Sequence, residues 1–65
     1  MASSTREKIL AVSLRLFNEQ GYRSVTMRAI ADSLSISVGN LTYHFAKKQD
    51  IVSALMDDVF AQMAA

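Results

Sequence analysis

The sequence lacks the residue types that stabilise small secreted proteins or interrupt helices. It has no cysteine, so it can form neither a disulfide nor a metal site with thiolate ligands. It has no proline and only two glycines, Gly21 and Gly39. No apolar run approaches the roughly 18 residues of a membrane span, and no signal-like apolar segment follows Met1. These absences predict a soluble, cytoplasmic protein without a membrane partner.

The chain is short and its charge is uneven. Its 65 residues allow one domain, and a domain of this size buries only about 60% of its unfolded surface. The formal net charge is +1, but residues 1–49 hold all seven lysines and arginines, whereas residues 50–65 hold three aspartates and no cation. The basic front part predicts an anionic partner, although ordinary solvated surface charge explains the same pattern.

Helical spacing of apolar residues runs through the sequence and no segment alternates as a strand does, so we predict an all-α bundle. The first helix is expected at about residues 5–20. Ser4 and Glu7 have the spacing of a capping box, and Gly21 stands where a left-handed residue would end the helix. Tyr22 is expected to pack back over that end. The core-facing positions of this helix are Ile9, Leu10, Ser13, Leu16 and Phe17.

Two short helices are expected next. Thr26 is a good N-cap for a helix of about two turns, whose core-facing residues are Met27, Ile30, Ala31 and Leu34. The segment SLSIS ends this second helix, and Ser37 caps a third helix over residues 38–44. Leu41 faces the core, and Phe45 closes the end of the third helix.

A fourth helix is expected to begin near Lys48 and to continue to the end of the sequence, AQMAA, where no stop signal is present. We therefore expect a piece of a longer protein. The residues that can pack on the earlier helices are Ile51, Leu55 and Val59. Those left without a partner in this chain are Met56, Phe60 and Met63. Either the end of a small bundle frays there, or these residues meet another domain or a second subunit.

Two short helices joined by about four residues form a helix-turn-helix, which inserts its second helix into the major groove of duplex DNA. Residues 37–44, SVGNLTYH, supply uncharged donors and acceptors that suit base edges. Asn40 can pair with adenine, and Val38 can touch a thymine methyl group. Gly39 is a poor helix former, which makes sense if DNA or another part of the backbone must come close.

The segments that carry a family resemblance are IL, LF and GY around the first helix, T-x-R-x-IA from Thr26, S-x-G-x-L from Ser37, YHF from Tyr43, and Lys48 followed by Ile51. Together they resemble the N-terminal DNA-binding domain of the TetR family of transcriptional repressors, over essentially the whole chain. The resemblance implies a homeodomain-like fold, with a three-helix DNA-binding domain in residues 1–47 and, in residues 48–65, the start of a helix that leads to a C-terminal domain.

The same resemblance implies a transcriptional regulator, and most simply a ligand-responsive repressor. A homodimer held by the C-terminal ligand-binding domain would bind a palindromic operator in double-stranded DNA. A small-molecule inducer would move the fourth helix, separate the two recognition helices and release the DNA. The alternative is a helical protein-interaction module that docks through its fourth helix and does not bind DNA.

The resemblance assigns a set of residues to DNA contacts. Those on the surface of the third helix, the recognition helix, are Ser37, Val38, Gly39, Asn40, Thr42 and Tyr43. Those outside this surface are Thr26 and Arg28 on the second helix, and His44 and Lys48, which would contact phosphates.

Four positions depart from the family pattern. Thr42 stands where a tyrosine is frequent, so a shorter hydroxyl replaces an aromatic contact to the DNA backbone. Ser35 stands where the turn commonly has glycine, and a left-handed backbone there is unfavourable for serine. Ala29 leaves the capping box of the second helix incomplete. Lys47 stands where a small helix cap is usual.

Several of these residues also have a purely structural interpretation. His44 could stack on Tyr43 or cap the helix end, Tyr43 could pack on the edge of the bundle, and Arg28 could be an ordinary surface charge. Lys48 opposes the dipole of its own helix unless an anion lies nearby, which favours a phosphate there. No acid–base pair, nucleophile or group of metal ligands accompanies His44, so we predict neither an enzyme nor a cofactor.

Overall fold

The computed structural model describes the backbone of residues 4–64 and the side chains of residues 4–57. This part of the chain contains four α-helices, one short 3₁₀ helix and no β-strand. The α-helices are α1 (Thr5–Gln20), α2 (Met27–Leu34), α3 (Val38–His44) and α4 (Lys48–Ala64). The 3₁₀ helix, Tyr22–Ser24, lies between α1 and α2. The predicted all-α fold is confirmed.

The ends of α1 form largely as the sequence predicts. The Ser4 hydroxyl accepts a hydrogen bond from the backbone N–H of Glu7 at 3.1 Å, which caps the start of the helix. At the other end, the N–H of Gly21 donates to the carbonyl of Phe17 at 2.9 Å. Gly21 has φ 85° and ψ 145°, so φ is positive as expected, but the predicted left-handed helical conformation is wrong. The chain leaves α1 in an extended direction instead.

The apolar residues predicted to face inward form one core. Helix α1 packs against both α2 and α4, and α2 packs against α3. The buried apolar residues are Ile9, Leu10, Leu16, Val25, Ile30, Ala31, Leu41, Phe45, Ile51 and Ala54. Ser13 is fully buried among them, and its hydroxyl oxygen has no hydrogen-bond partner within the described structure. Phe17, also predicted to face inward, is only half-buried at the edge of this core.

The turn between α2 and α3 sets the direction in which α3 leaves α2. The N–H of Ser35 donates to the Asp32 carbonyl at 3.1 Å, and the N–H of Ile36 donates to the Ala31 carbonyl at 3.0 Å. This pair of bonds is a Schellman motif, and Ser35 takes its left-handed position with φ 57° and ψ 38°. Ile36 then packs on the core. A residue with a Cβ thus occupies the conformation that glycine adopts most easily.

Helix α4 begins at Lys48, as predicted. Ile51 is fully buried and Leu55 is partly buried against the core, whereas Met56 is 55% exposed. Of the other residues predicted for the two faces of this helix, Val59, Phe60 and Met63 lie outside the described side chains. Within residues 4–64, no helix combines the length and the apolar character that crossing a membrane requires.

Candidate nucleic-acid interface

Helix α3 has one buried side and one exposed side. Leu41 is fully buried, and Phe45, which follows the helix, is 6% exposed. Tyr43 is 85% exposed, which excludes the interpretation that it packs on the edge of the bundle. The remaining residues of this segment that face solvent are Ser37, Val38, Gly39, Asn40, Thr42 and His44. The predicted recognition surface is therefore accessible as one short stretch of polar and small residues.

Both helices of the helix-turn-helix begin at a hydroxyl-bearing residue. The Thr26 hydroxyl accepts a hydrogen bond from the N–H of Ala29 at 3.0 Å, and the Ser37 hydroxyl accepts one from the N–H of Asn40 at 2.9 Å. In both caps the oxygen is the acceptor, so the hydroxyl hydrogen can still be donated outward. Each cap can therefore support its helix and donate to a phosphate oxygen at the same time.

Gly39 is not required by the fold. Its φ lies outside the range that disfavours other residues. Apart from its own helix backbone, the one described atom that a Cβ built on it would meet is the Ser37 hydroxyl oxygen, at an ordinary contact distance of 3.8 Å. Gly39 and Tyr43 are four residues apart in α3, so they share the side of the helix that points away from Leu41. The position without a side chain thus lies one helical turn before the exposed Tyr43.

Thr42 and His44 already have contacts within the protein. The Thr42 hydroxyl donates to the Gly39 carbonyl at 3.1 Å, so it would have to give up this bond before it could donate to a phosphate. The rings of Tyr43 and His44 meet edge to face, with centroids 5.2 Å apart and an interplanar angle of 85°. The stacking that the sequence left open for His44 is thus present, while both rings remain exposed.

Lys48 is held by a residue far away in the sequence. Its ammonium nitrogen donates to the backbone carbonyl of Tyr22 at 2.8 Å and lies 4.4 Å from the centroid of the Tyr22 ring. The carbonyl oxygen and the ring face both carry partial negative charge, so they offset the unfavourable position of a cation at a helix N-terminus. The protein itself therefore relieves the conflict that had favoured a phosphate at Lys48. An ammonium group has three N–H donors, which leaves others for a ligand.

Thr26 and Arg28, the predicted contacts on α2, are both exposed at the start of that helix. Because Lys48 reaches Tyr22, the start of α4 lies beside the segment that leads into α2. The sequence interpretation missed the contact between Tyr22 and Lys48. It also missed Arg6, whose guanidinium carbon lies 5.6 Å from the centroid of the Phe45 ring, next to the end of α3. Both pairs join residues far apart in the sequence, so no local spacing indicates them.

The described residues contain no group of three or more histidine, cysteine, aspartate or glutamate side chains that could hold a metal ion. The chemistry that this surface can perform is hydrogen bonding and electrostatic attraction. Its donors and acceptors along α3 are uncharged, and two cations stand in the first turns of the neighbouring helices, Arg28 in α2 and Lys48 in α4. This arrangement suits the base edges and phosphates of a nucleic-acid duplex.

Comparison with known proteins gives a consistent result. Residues 9–55 match the model of a family described as bacterial regulatory proteins, tetR family. The chain is 38% identical over 55 residues to the HTH-type transcriptional regulator UidR of Escherichia coli K12, and this match covers 85% of this chain and 28% of UidR. It is 39% identical over 54 residues to the HTH-type transcriptional repressor KstR2 of Mycobacterium tuberculosis H37Rv, and this match covers 83% of this chain and 27% of KstR2.

The fold is shared with a solved relative. The crystal structure of a TetR-family transcriptional regulator from Marinobacter aquaeolei VT8 superposes with a TM-score of 0.84 and 48% sequence identity, over 86% of this chain and 28% of that one. The chain thus spans little more than a quarter of the length of these relatives. The family predicted from the sequence motifs is confirmed, and the alternative of a protein-interaction module without DNA binding is not favoured.

Proposed function

The chain belongs to the tetR family of bacterial regulatory proteins, and we propose that it binds double-stranded DNA in a sequence-specific manner, as part of a transcriptional regulator. Helix α3 enters the major groove with its N-terminal end first, as the second helix of a helix-turn-helix does. Asn40, Val38 and Tyr43 then face base edges. The relatives called transcriptional regulators and repressors support this role and lend no support to an enzyme.

The flanking residues hold the phosphate backbone in this proposal. The cap hydroxyls of Thr26 and Ser37 donate to phosphates, and Arg28, His44 and Lys48 add charge or donors at the edges of α3. About four to six phosphates neutralised per half-site would give a slope of log affinity against log salt concentration of about −0.9 for each contact. Thr42 is the weakest member of the set, because its hydroxyl hydrogen already bonds within α3.

The observation that carries the proposal is Gly39. Glycine in a helix lowers stability by up to about 1 kcal/mol relative to alanine, and nothing in the backbone or packing of the described residues needs it there. A residue that weakens the fold without a structural reason is expected where another molecule comes close. Its position beside the exposed Tyr43, on the side of α3 away from the core, points to the DNA groove as that molecule.

Gly39→Ala tests this directly. We expect the variant to unfold at a higher temperature, with up to about 1 kcal/mol more stability, while its affinity for duplex DNA falls because the added methyl group keeps the helix from the groove. Thermal unfolding followed by circular dichroism and fluorescence anisotropy on a labelled duplex measure the two effects. A variant that is more stable and binds as well as the parent would overturn the assignment of α3 to the groove.

Asn40→Ala and Lys48→Ala separate base reading from phosphate binding. A cognate duplex is first selected from a random-sequence library, and both variants are then measured on it and on an unrelated duplex. Asn40→Ala should weaken the cognate site by about 1–3 kcal/mol and the unrelated duplex much less, whereas Lys48→Ala should weaken both alike. Equal losses for Asn40→Ala on the two duplexes would contradict a base-reading role.

Heparin chromatography of the unmodified chain tests the alternative. Retention that does not change with salt concentration would support a protein-interaction module instead of DNA binding.

For the whole regulator we propose a cytoplasmic, ligand-responsive repressor. Residues 1–47 form its DNA-binding domain, and residues 48–65 start the helix that leads to a larger C-terminal domain. That domain would hold a homodimer on a palindromic operator and bind a small-molecule inducer. The exposed Met56 on α4 and the far greater length of the relatives support this arrangement. A direct test is the full-length protein, whose mass in solution should be that of a dimer and whose operator binding an inducer should weaken.

A further inference from the structure

The contact between Tyr22 and Lys48 restricts the conformations of the Lys48 side chain. Lysine has four flexible side-chain bonds, and fixing them on a ligand costs conformational entropy. In this chain part of that ordering is already present before any ligand binds. The ammonium group is fixed by a 2.8 Å hydrogen bond to the Tyr22 carbonyl and by the ring 4.4 Å away.

Tyr22 is itself held in place from α1. Its ring packs on that of Phe17, with centroids 5.2 Å apart and an interplanar angle of 59°, and Phe17 is half-buried against the core. Gly21, immediately before it, turns the chain out of α1 with φ 85°. The end of α1 thus supports the tyrosine, and the tyrosine supports the lysine that opens α4.

We propose that Tyr22 is a positioning residue for DNA binding, which holds the Lys48 ammonium group at the start of α4 ready to contact a phosphate. The inference rests on the proposed function. Tyr22 itself need not touch the nucleic acid, since its ring face and its carbonyl are occupied by Lys48. The remaining N–H donors of Lys48 are the ones that meet the phosphate oxygen.

A double-mutant cycle on the 65-residue chain tests the coupling. The variants are Tyr22→Leu, which removes the ring face and keeps the backbone carbonyl, Lys48→Met, and the two combined. The probe is a mixed-sequence DNA duplex, because phosphate contacts do not depend on sequence, measured between about 50 and 200 mM salt. Tyr22→Phe is the conservative variant, since it keeps an aromatic face, and Arg15→Met removes a cation from the exposed surface of α1 as a charge control.

We expect Lys48→Met to lower affinity and to reduce the salt slope by about 0.9, with a smaller change for Arg15→Met. Tyr22→Leu should lower affinity about two- to fivefold in the parent, the range of an exposed cation–π contact, and should have no effect when Lys48 is already methionine. Tyr22→Phe should keep most of the affinity that Tyr22→Leu loses. Equal losses from Tyr22→Leu in both backgrounds, or no loss in either, would overturn the positioning role.

Nuclear magnetic resonance supplies a measurement that does not depend on the stability of a variant. The side-chain CH₂ protons next to the Lys48 nitrogen should be shifted upfield by the Tyr22 ring, relative to those of Lys47, and should stay shifted in the DNA complex. Loss of the shift when DNA is added would overturn the inference alone, because Lys48 would then leave the ring in order to bind. A chain that shows the shift but binds no duplex would overturn the proposed function as well.

Discussion

The end of α1 and the first turn of α3 each contain a glycine, but the fold needs only the first. Gly21 has φ 85°, and among the described residues no atom beyond its two chain neighbours lies within 4 Å of the place where its Cβ would be, so only the backbone conformation requires glycine. Gly39 has no such φ, and a Cβ would fit beside Ser37 without crowding. The same residue type is thus structural in one region and structurally unexplained in the other.

This difference separates two kinds of residue in a small domain. At the end of α1, the requirement arises inside the chain and can be found in its dihedral angles. On the outer side of α3, the requirement must come from a molecule that the chain meets. The contrast recurs within α3 itself, where Leu41 is fully buried and Tyr43, two residues later, is 85% exposed. Substitution at a position tests whether its residue is required by the fold or by a molecule that the chain binds.

The largest effect on stability is expected for Leu41→Ala. Truncating a buried leucine costs about 2–5 kcal/mol, and the core of a domain this small rarely supplies more than about 3–5 kcal/mol in total. The variant should therefore be mostly unfolded near room temperature. Loss of the helical circular dichroism signal and of a cooperative thermal transition would measure this.

Tyr43→Ala is the matched control on the same helix. Because the ring is exposed, its removal should change the free energy of unfolding by no more than about 0.5 kcal/mol. DNA binding should nevertheless fall, since Tyr43 belongs to the proposed recognition surface. If the two substitutions destabilised the protein alike, α3 would not have the two distinct sides that the structure describes.

The second largest effect is expected for Gly21→Ala. A non-glycine residue held at this φ and ψ costs about 1–3 kcal/mol, although the space around it is open. Denaturant unfolding should show a lower midpoint with an unchanged slope. Gly39→Ala, the same chemical change in α3, should move the midpoint in the opposite direction. A loss of stability in both variants would mean that Gly39 also has a structural role.

Much of the fold follows from spacing within single helices. The caps at Ser4, Thr26 and Ser37 and the inward stripe of α2 are local features, and local features can be inferred from a sequence. The positive φ of Gly21 was also predictable, but its ψ was not, since ψ depends on how the 3₁₀ helix at Tyr22–Ser24 continues.

The candidate site was predictable only in part, because some of its contacts depend on the assembled fold. The exposed side of α3 follows from the inward position of Leu41. The position of Lys48 does not, because its partner Tyr22 lies 26 residues earlier in the chain. Sequence reasoning assigned the unfavourable charge of Lys48 at a helix start to a phosphate, whereas the structure provides a carbonyl and an aromatic ring within the chain.

A smaller effect than that of Gly21→Ala, and in the opposite direction, is expected for Ser35→Gly. Ser35 has the left-handed φ of 57° in the Schellman motif that ends α2. Relieving that conformation is worth about 1–2 kcal/mol, and the greater freedom of glycine in the unfolded chain offsets about 0.4–1 kcal/mol. The net result should be a gain of about 0.5–1 kcal/mol in the free energy of unfolding.

Binding provides the second measurement on this variant. The serine side chain is exposed, and the backbone hydrogen bonds from Ser35 and Ile36 do not depend on it. Affinity for duplex DNA should therefore stay within about twofold of the parent when both are fully folded. If Ser35→Gly gained stability but lost binding, the serine would belong with Gly39 among the residues that the fold does not explain, and the recognition surface would extend into the turn.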